Sequence, residues 1–216
     1  MPAIEYPPTA EVSRSAARTG LILIDPYNDF LSEGGKLWPL VAEVAGKVHT
    51  LANLKAATDA ARAAGITVFY TPHRRWREGD YQGWRHPNPS QLVTNAIRLF
   101  EDGSWGGDWH PDFRPQPEDV IVSQHWSQSA FANTDLDAQL KQHGIEQLVL
   151  VGMAANTCIE STARFGMELG YHVTLVTDAT AAYDLDGLHA AHLVNGPTYA
   201  HQIISTAELL GQVRKP

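Results

Sequence analysis

Short continuous runs of apolar residues alternate along this chain with longer segments whose apolar positions recur at helical spacing. The first run, Leu21-Ile22-Leu23-Ile24, closes on Asp25. Leu40 to Ala64 has helical spacing and stops at Gly65, a residue suited to the left-handed turn that ends helices. Ile66 to Tyr70 predicts a second strand, Ser90 caps a short helix running through Phe100, and Val120-Ile121-Val122 predicts a third strand. Thr134 opens a helix carrying Leu136 and Leu140 that stops at Gly144. Leu148-Val149-Leu150-Val151 is apolar throughout, as a strand buried on both faces requires; Gly152 and a helix from about Asn156 to Leu169 follow, with a stop at Gly170. Val173 to Val176 repeats the strand pattern. Helices near Leu188 to Val194 and Thr206 to Leu210 flank a short strand at Ile203-Ile204.

This alternation is that of βαβ units and predicts an α/β fold, a three-layer sandwich with about six strands in a parallel sheet. No repeat, linker or low-complexity tract appears, so residues 1–216 read as one domain with an N-terminal extension over 1–18. A single cysteine, Cys158, excludes both a disulfide scaffold and a cysteine-rich zinc module. Lysine and arginine total 16 against 24 aspartates and glutamates, a net charge of −8 that disfavours nucleic acid as a partner. Met1 to Arg18 lacks an apolar signal region, and no stretch approaches the roughly 20 apolar residues of a membrane span. No membrane partner and a cytoplasmic location are the expectations.

Parallel sheets bind ligands beyond the carboxyl ends of their strands, where the strand order reverses. Asp25 closes the first strand and Cys158 lies just past the fourth, so the two meet if those strands are neighbours. Cys158 is either a small core residue or a nucleophile. The stretch Gly152-Met153-Ala154-Ala155-Asn156-Thr157-Cys158 leaves a buried strand and enters a helix, whose N–H groups stabilise a thiolate and an oxyanion; on that ground the thiolate is expected to form below the ordinary value of about 8.5. Asp25 is either a turn residue or an acid/base group, since burial beside a second anion keeps a carboxyl able to move a proton near neutral pH.

The strand into Asp25 with Asn28-Asp29-Phe30, the segment Ser129-Ala130-Phe131 with Thr134-Asp135-Leu136, and Gly152 to Cys158 occur in an order that resembles the isochorismatase-like cysteine hydrolases, over about residues 19–210. The resemblance implies a six-stranded parallel α/β/α fold, an oligomer (dimer or tetramer), and a catalytic aspartate, lysine and cysteine beside a non-proline cis peptide. Carried onto this chain, Asp25 is the aspartate, Cys158 the nucleophile, Met153-Ala154 the cis bond, and the N–H groups of Ala154 and Cys158 the oxyanion hole.

The lysine does not carry over. Six residues before Phe131, where the family places it, stands His125; counted from the strand side, the position falls on Gln124. Lys36, Lys47, Lys55, Lys141 and Lys215 lie on other elements or at the chain end. Either the triad is Asp25-His125-Cys158 or the usual activity is lost. A histidine serves as imidazolium by charge or as imidazole by taking a proton, whereas glutamine offers hydrogen bonds alone.

All 6 tryptophans fall in segments read as loops. Trp126, beside His125, is the candidate pocket ring, with Tyr27 and Phe131 behind it as further substrate-binding candidates. The basic run His73-Arg74-Arg75-Trp76-Arg77 is either a carboxylate site or a solvated or subunit-facing surface. Thr71-Pro72-His73 lacks the aspartate of the Asp-x-His element by which nicotinamidase-like members hold a metal, so neither metal nor cofactor is expected. The leading expectation is hydrolysis of an amide-type C–N bond in a small molecule through a thioester on Cys158. The alternatives are an isochorismate-type vinyl-ether hydrolase and a non-catalytic ligand-binding or thiol-sensing protein.

Overall fold

The computed structural model describes residues 14–213. Most of the N-terminal extension therefore lies outside the described residues. Six strands, β1 (Thr19–Ile24), β2 (Thr67–Thr71), β3 (Val120–Ile121), β4 (Gln147–Met153), β5 (His172–Ala181) and β6 (Gln202–Ile204), form one sheet in the order β3-β2-β1-β4-β5-β6, with every pairing parallel. The order reverses between β1 and β4, which are neighbours, so the ends that carry Asp25 and Cys158 converge at the switch point.

β1 and β4 are buried along their whole length, which is why they read as unbroken apolar runs. Alternate side chains feed two cores. Leu21, Leu23, Val149 and Val151 pack with Phe30 and Leu31 of the short α1 (Asn28–Leu31), α2 (Trp38–Lys47), α3 (Thr50–Ala63) and Leu209 of α8 (Thr206–Val213). Ile22, Ile24, Leu148 and Leu150 pack on the other face with α5 (Leu136–Gln142) and α6 (Glu160–Glu168). The three-layer reading holds.

Several local expectations are corrected. The helix expected over Leu40 to Ala64 is two helices, because His49 turns left-handed (φ 55°) between them. Trp38 is the first residue of α2 and not a loop residue. α4 (Pro89–Ile97) is capped by Asn88 rather than Ser90: its side chain accepts the Gln91 N–H, and the Gln91 side chain accepts the Asn88 N–H. The turn after β4 is wound as a π-helix over Ala155–Ile159 before α6 begins at Glu160. α7 (Leu185–His189) likewise runs into a π-turn.

Candidate active site

β1 delivers Asp25 through a left-handed turn (φ 52°), a conformation aspartate tolerates better than most residues. The next strand over, β4, approaches so closely that a Cβ at Gly152 would lie 2.2 Å from the Ile24 carbonyl oxygen. Only glycine, here at φ 111°, lets the two strand ends come together. Immediately beyond it the Met153-Ala154 peptide is cis, and the π-turn presents Cys158. π-turns of this kind recur at functional sites because they re-aim one side chain without ending the helix.

β3 is separated from β1 by β2, yet His125 reaches Asp25. It does so through a one-residue extension of the sheet: His73 and His125 form a parallel bridge, with the His125 N–H donating to the Pro72 carbonyl at 3.0 Å and the Arg74 N–H to the His125 carbonyl at 2.7 Å. His125 Nε2 then lies 3.1 Å from Asp25 Oδ1, and its Nδ1 lies 3.1 Å from the Ser127 carbonyl oxygen. Gln124 points away, its Oε1 accepting the Arg75 N–H at 3.1 Å.

Asp25 is fully buried. Its Oδ1 also accepts the His73 backbone N–H at 2.6 Å, while Oδ2 accepts no hydrogen bond among the described residues. One ligand atom each from Asp25, His125 and Cys158 lies within 4.8 Å of the other two. Cys158 Sγ is 3.9 Å from the Ser127 carbonyl oxygen, so that one oxygen faces both the thiol and the imidazole. The same three atoms are a spacing that could hold a metal ion, and no other such group occurs among the described residues.

Burial and then the Asp25 carboxylate push the Cys158 thiol well above its ordinary range; the Thr157 hydroxyl and the Ala154 N–H act the other way and are outweighed. The expectation of a thiolate below about 8.5 is thereby corrected: enclosure of the sulfur beside an anion overrides what a helix start supplies. The sulfur therefore stands beside a carboxyl group whose Oδ2 has no hydrogen-bond partner among the described residues.

Above these residues opens a cavity of about 320 Å³, bounded by Phe30, Leu37, Leu40, His73, Val93, Leu99 and Phe100, with Ser127, Gln128, Thr157 and Tyr183 on its polar side. Trp126, Tyr27 and Phe131 are not among the residues that line it. Trp126 packs outside against Tyr81 and Trp84 beneath the Arg74 guanidinium. Tyr27 is stacked on Trp109 in the core, with its hydroxyl donating to the His73 carbonyl. Phe131 stacks with Phe165 and Tyr171 on the α6 side.

The basic run is absorbed into loop structure. Arg74 pairs with Asp80 at 2.8 Å, Arg75 lies over the Tyr27 and Trp109 rings and donates to the Gly107 carbonyl, and Arg77 pairs with Asp102. Asp29, which no sequence pattern marks as a site residue, organises the cavity wall: its Oδ1 accepts the Lys36 N–H at 3.0 Å and its Oδ2 the Phe100 N–H at 2.9 Å, tying down the segments that carry Leu37 and Phe100. Gly106 makes room for it, since a Cβ there would meet Asp29 Oδ1 at 2.4 Å.

Comparison with known proteins places the chain among relatives of one family. The Isochorismatase domain model matches residues 19–208. The chain belongs to the isochorismatase family. It is 31% identical over 204 residues to the ureidoacrylate amidohydrolase RutB of Caulobacter vibrioides, covering 89% of this chain and 90% of that one, and 33% identical over 206 residues to the RutB of Pantoea ananatis, covering 91% and 82%. A cysteine hydrolase from Pseudomonas syringae pv. phaseolicola 1448A superposes with a TM-score of 0.79 at 26% identity, over 96% of this chain and 97% of that chain.

Proposed function

We propose that this protein is an amide-cleaving cysteine hydrolase for small molecules in which Cys158 is the nucleophile, Asp25 the acid/base and His125 the cation that takes the lysine's place. The observation that carries this reading is the convergence of Asp25, His125 and Cys158, one ligand atom of each within 4.8 Å of the others, with Asp25 and Cys158 lining one cavity and His125 buried against Asp25. The ureidoacrylate amidohydrolases among its relatives support an amide-type bond as the target.

Asp25 Oδ2 takes the thiol proton as Cys158 Sγ bonds to the substrate carbonyl carbon. The carbonyl electron pair moves onto oxygen, where the N–H groups of Ala154 and Cys158 hold it. Collapse breaks the C–N bond, and Asp25 returns the proton to the departing nitrogen. Asp25 then accepts a proton from water as the hydroxide adds to the thioester; the acid is released and the sulfur recovers the proton. Throughout, the His125 imidazolium balances the charge that alternates between Asp25 and the sulfur.

A cytoplasmic homo-oligomer, dimer or tetramer, with residues 1–216 as one domain completes the reading. Exposed Phe165, Leu169, Leu193 and Val194 supply apolar surface for subunit contact. Among the described residues no helix is long and apolar enough to cross a membrane.

The deciding experiment is amine or ammonia release from a panel of small amides, run beside Cys158→Ala, with intact-mass analysis of the quenched enzyme. An acyl adduct on Cys158 and no turnover in the variant are expected. Isochorismate is run in parallel: its hydrolysis by both the wild type and Cys158→Ala, without amide turnover, would replace this reading with the vinyl-ether type of hydrolysis, which needs proton donation by Asp25 but no thioester.

A further inference from the structure

We infer that the substituent this cavity receives beside the scissile bond is uncharged and apolar, an aryl or branched alkyl group of a neutral amide, and that a carboxylate in its place is rejected. The chemistry of the bond rests on the proposed amide hydrolysis; the character of the substituent rests on the cavity wall.

That wall is built from Phe30, Leu37, Leu40, Val93, Leu99 and Phe100, and no arginine or lysine lines it among the described residues. The nearby cations are engaged elsewhere. Arg74 is held by Asp80, Arg75 by two aromatic rings and the Gly107 carbonyl, and the Lys36 ammonium donates to the Arg98 carbonyl. A carboxylate drawn into this space would lose its water, gain no counter-charge and approach Asp25. The substrate for which the ureidoacrylate relatives are named carries such a carboxylate, so this wall departs from it.

Two details extend the picture. Leu40 and Val93 line the cavity yet are 56% and 53% exposed, so the apolar wall continues to the mouth and accommodates a group longer than the cavity is deep. His73 lines the same space, and its Nδ1 lies 3.0 Å from the Arg74 carbonyl oxygen, which requires the proton on Nδ1. A neutral ring so fixed keeps Nε2 as an acceptor suited to an amide N–H.

The test compares phenylacetamide with its para-carboxy derivative. The wild-type enzyme should favour the neutral amide by at least about 100-fold in kcat/KM, the scale of discrimination set by burying an unpaired charge. Equal or better use of the carboxylated amide overturns the inference. Calorimetric binding of both compounds to Cys158→Ala reads the wall without the chemistry. Selective binding of phenylacetamide to that variant, with turnover of neither compound by the wild type, would uphold the wall and remove the proposed reaction. Equal binding of the two, or binding of neither, would sink the inference itself. Val93→Arg places a cation at the exposed mouth and should cut the preference at least about tenfold; an unchanged ratio also counts against it.

Discussion

His125 Nε2 lies 3.1 Å from Asp25 Oδ1 while His125 Nδ1 lies 3.1 Å from the Ser127 carbonyl oxygen, so one ring spans two acceptors. A ring placed between two such oxygens is positioned to donate to each, which is the arrangement the proposed lysine-replacing role uses. His125→Ala should slow acylation about 10²–10⁴-fold in pre-steady-state kinetics. His125→Lys should retain part of the activity and move the alkaline limb of the pH profile upward, since an ammonium holds its proton to higher pH than an imidazolium. Gln124→Ala should do much less; the opposite ranking of the two alanine variants would exchange their roles.

Asp25→Asn should abolish turnover and leave the circular dichroism spectrum unchanged. The amide oxygen can still accept the His73 N–H in place of Oδ1, so the local hydrogen bond survives while the proton acceptor is gone. Near-parental turnover in a folded variant would remove Asp25 from the mechanism.

Burial and the Asp25 charge both oppose ionisation of Cys158, so iodoacetamide labelling of the native protein should be slow at neutral pH and inflect above the ordinary thiol value of about 8.5. Asp25→Asn removes one of the two causes and should lower the inflection. An inflection below about 8.5 in the wild type would mean that the helix start outweighs burial and the neighbouring carboxylate.

Asp29 is buried and holds two backbone N–H groups from separate segments. Asp29→Ala leaves both donors unpaired and should cost about 3 kcal/mol in urea denaturation, within the range for hydrogen bonds to a charged group. It should also raise KM more than it lowers kcat, because Leu37 and Phe100 lose their anchor. Unchanged stability and KM would show that the wall is held by packing alone.

His73 and His192 are pushed down to about 4, in both cases mainly by burial. An imidazole in the unfolded chain titrates near 6.5, so between about 6.5 and 4 the unfolded state binds protons that the folded state does not. Stability is therefore complete above this window and falls as pH drops through it, by up to about 3 kcal/mol per group. The urea midpoint should decline from about pH 6.5 to pH 4, and His192→Gln should flatten the slope; an identical slope in the variant would clear His192 of any part in it.

Much of this architecture is legible in the sequence where a single physical cause dominates. β1 and β4 announce themselves because both faces are buried, and Asp25 and Cys158 follow from strand ends alone. Their meeting required only that β1 and β4 be neighbours. His125 is found by its spacing to Phe131, and the structure gives the geometric reason to prefer it over Gln124. The Asn88 cap is visible in the Asn-x-x-Gln spacing, and Pro39 marks the start of α2. By contrast, the left-handed His49 carries no glycine or proline signal. The cavity wall draws on residues 30–40, 90–100, 127–128, 157–158 and 183, a set that no local pattern unites. Trp126, Tyr27 and Phe131 stand near site residues in sequence, but Trp126 is turned outward onto Tyr81 and Trp84, Tyr27 is claimed by Trp109 and Phe131 by Phe165, so nearness along the chain does not bring a ring into the cavity.

The His73–His125 bridge makes the placement of the imidazole a matter of counting residues. Val122 is fixed by its N–H to the Tyr70 carbonyl and His125 by its N–H to the Pro72 carbonyl, so three steps along this segment match two along its neighbour and one residue is bulged out between the anchors. A single insertion or deletion there would bring a neighbouring side chain to Asp25 and leave the rest of the sheet untouched. The segment over 103–119 meets no such constraint at its far end, where it borders the edge strand. Length variation among homologous chains should therefore gather on the approach to β3 and be absent from the three steps that follow it, a sharp boundary that alignment gaps can reveal without any assay.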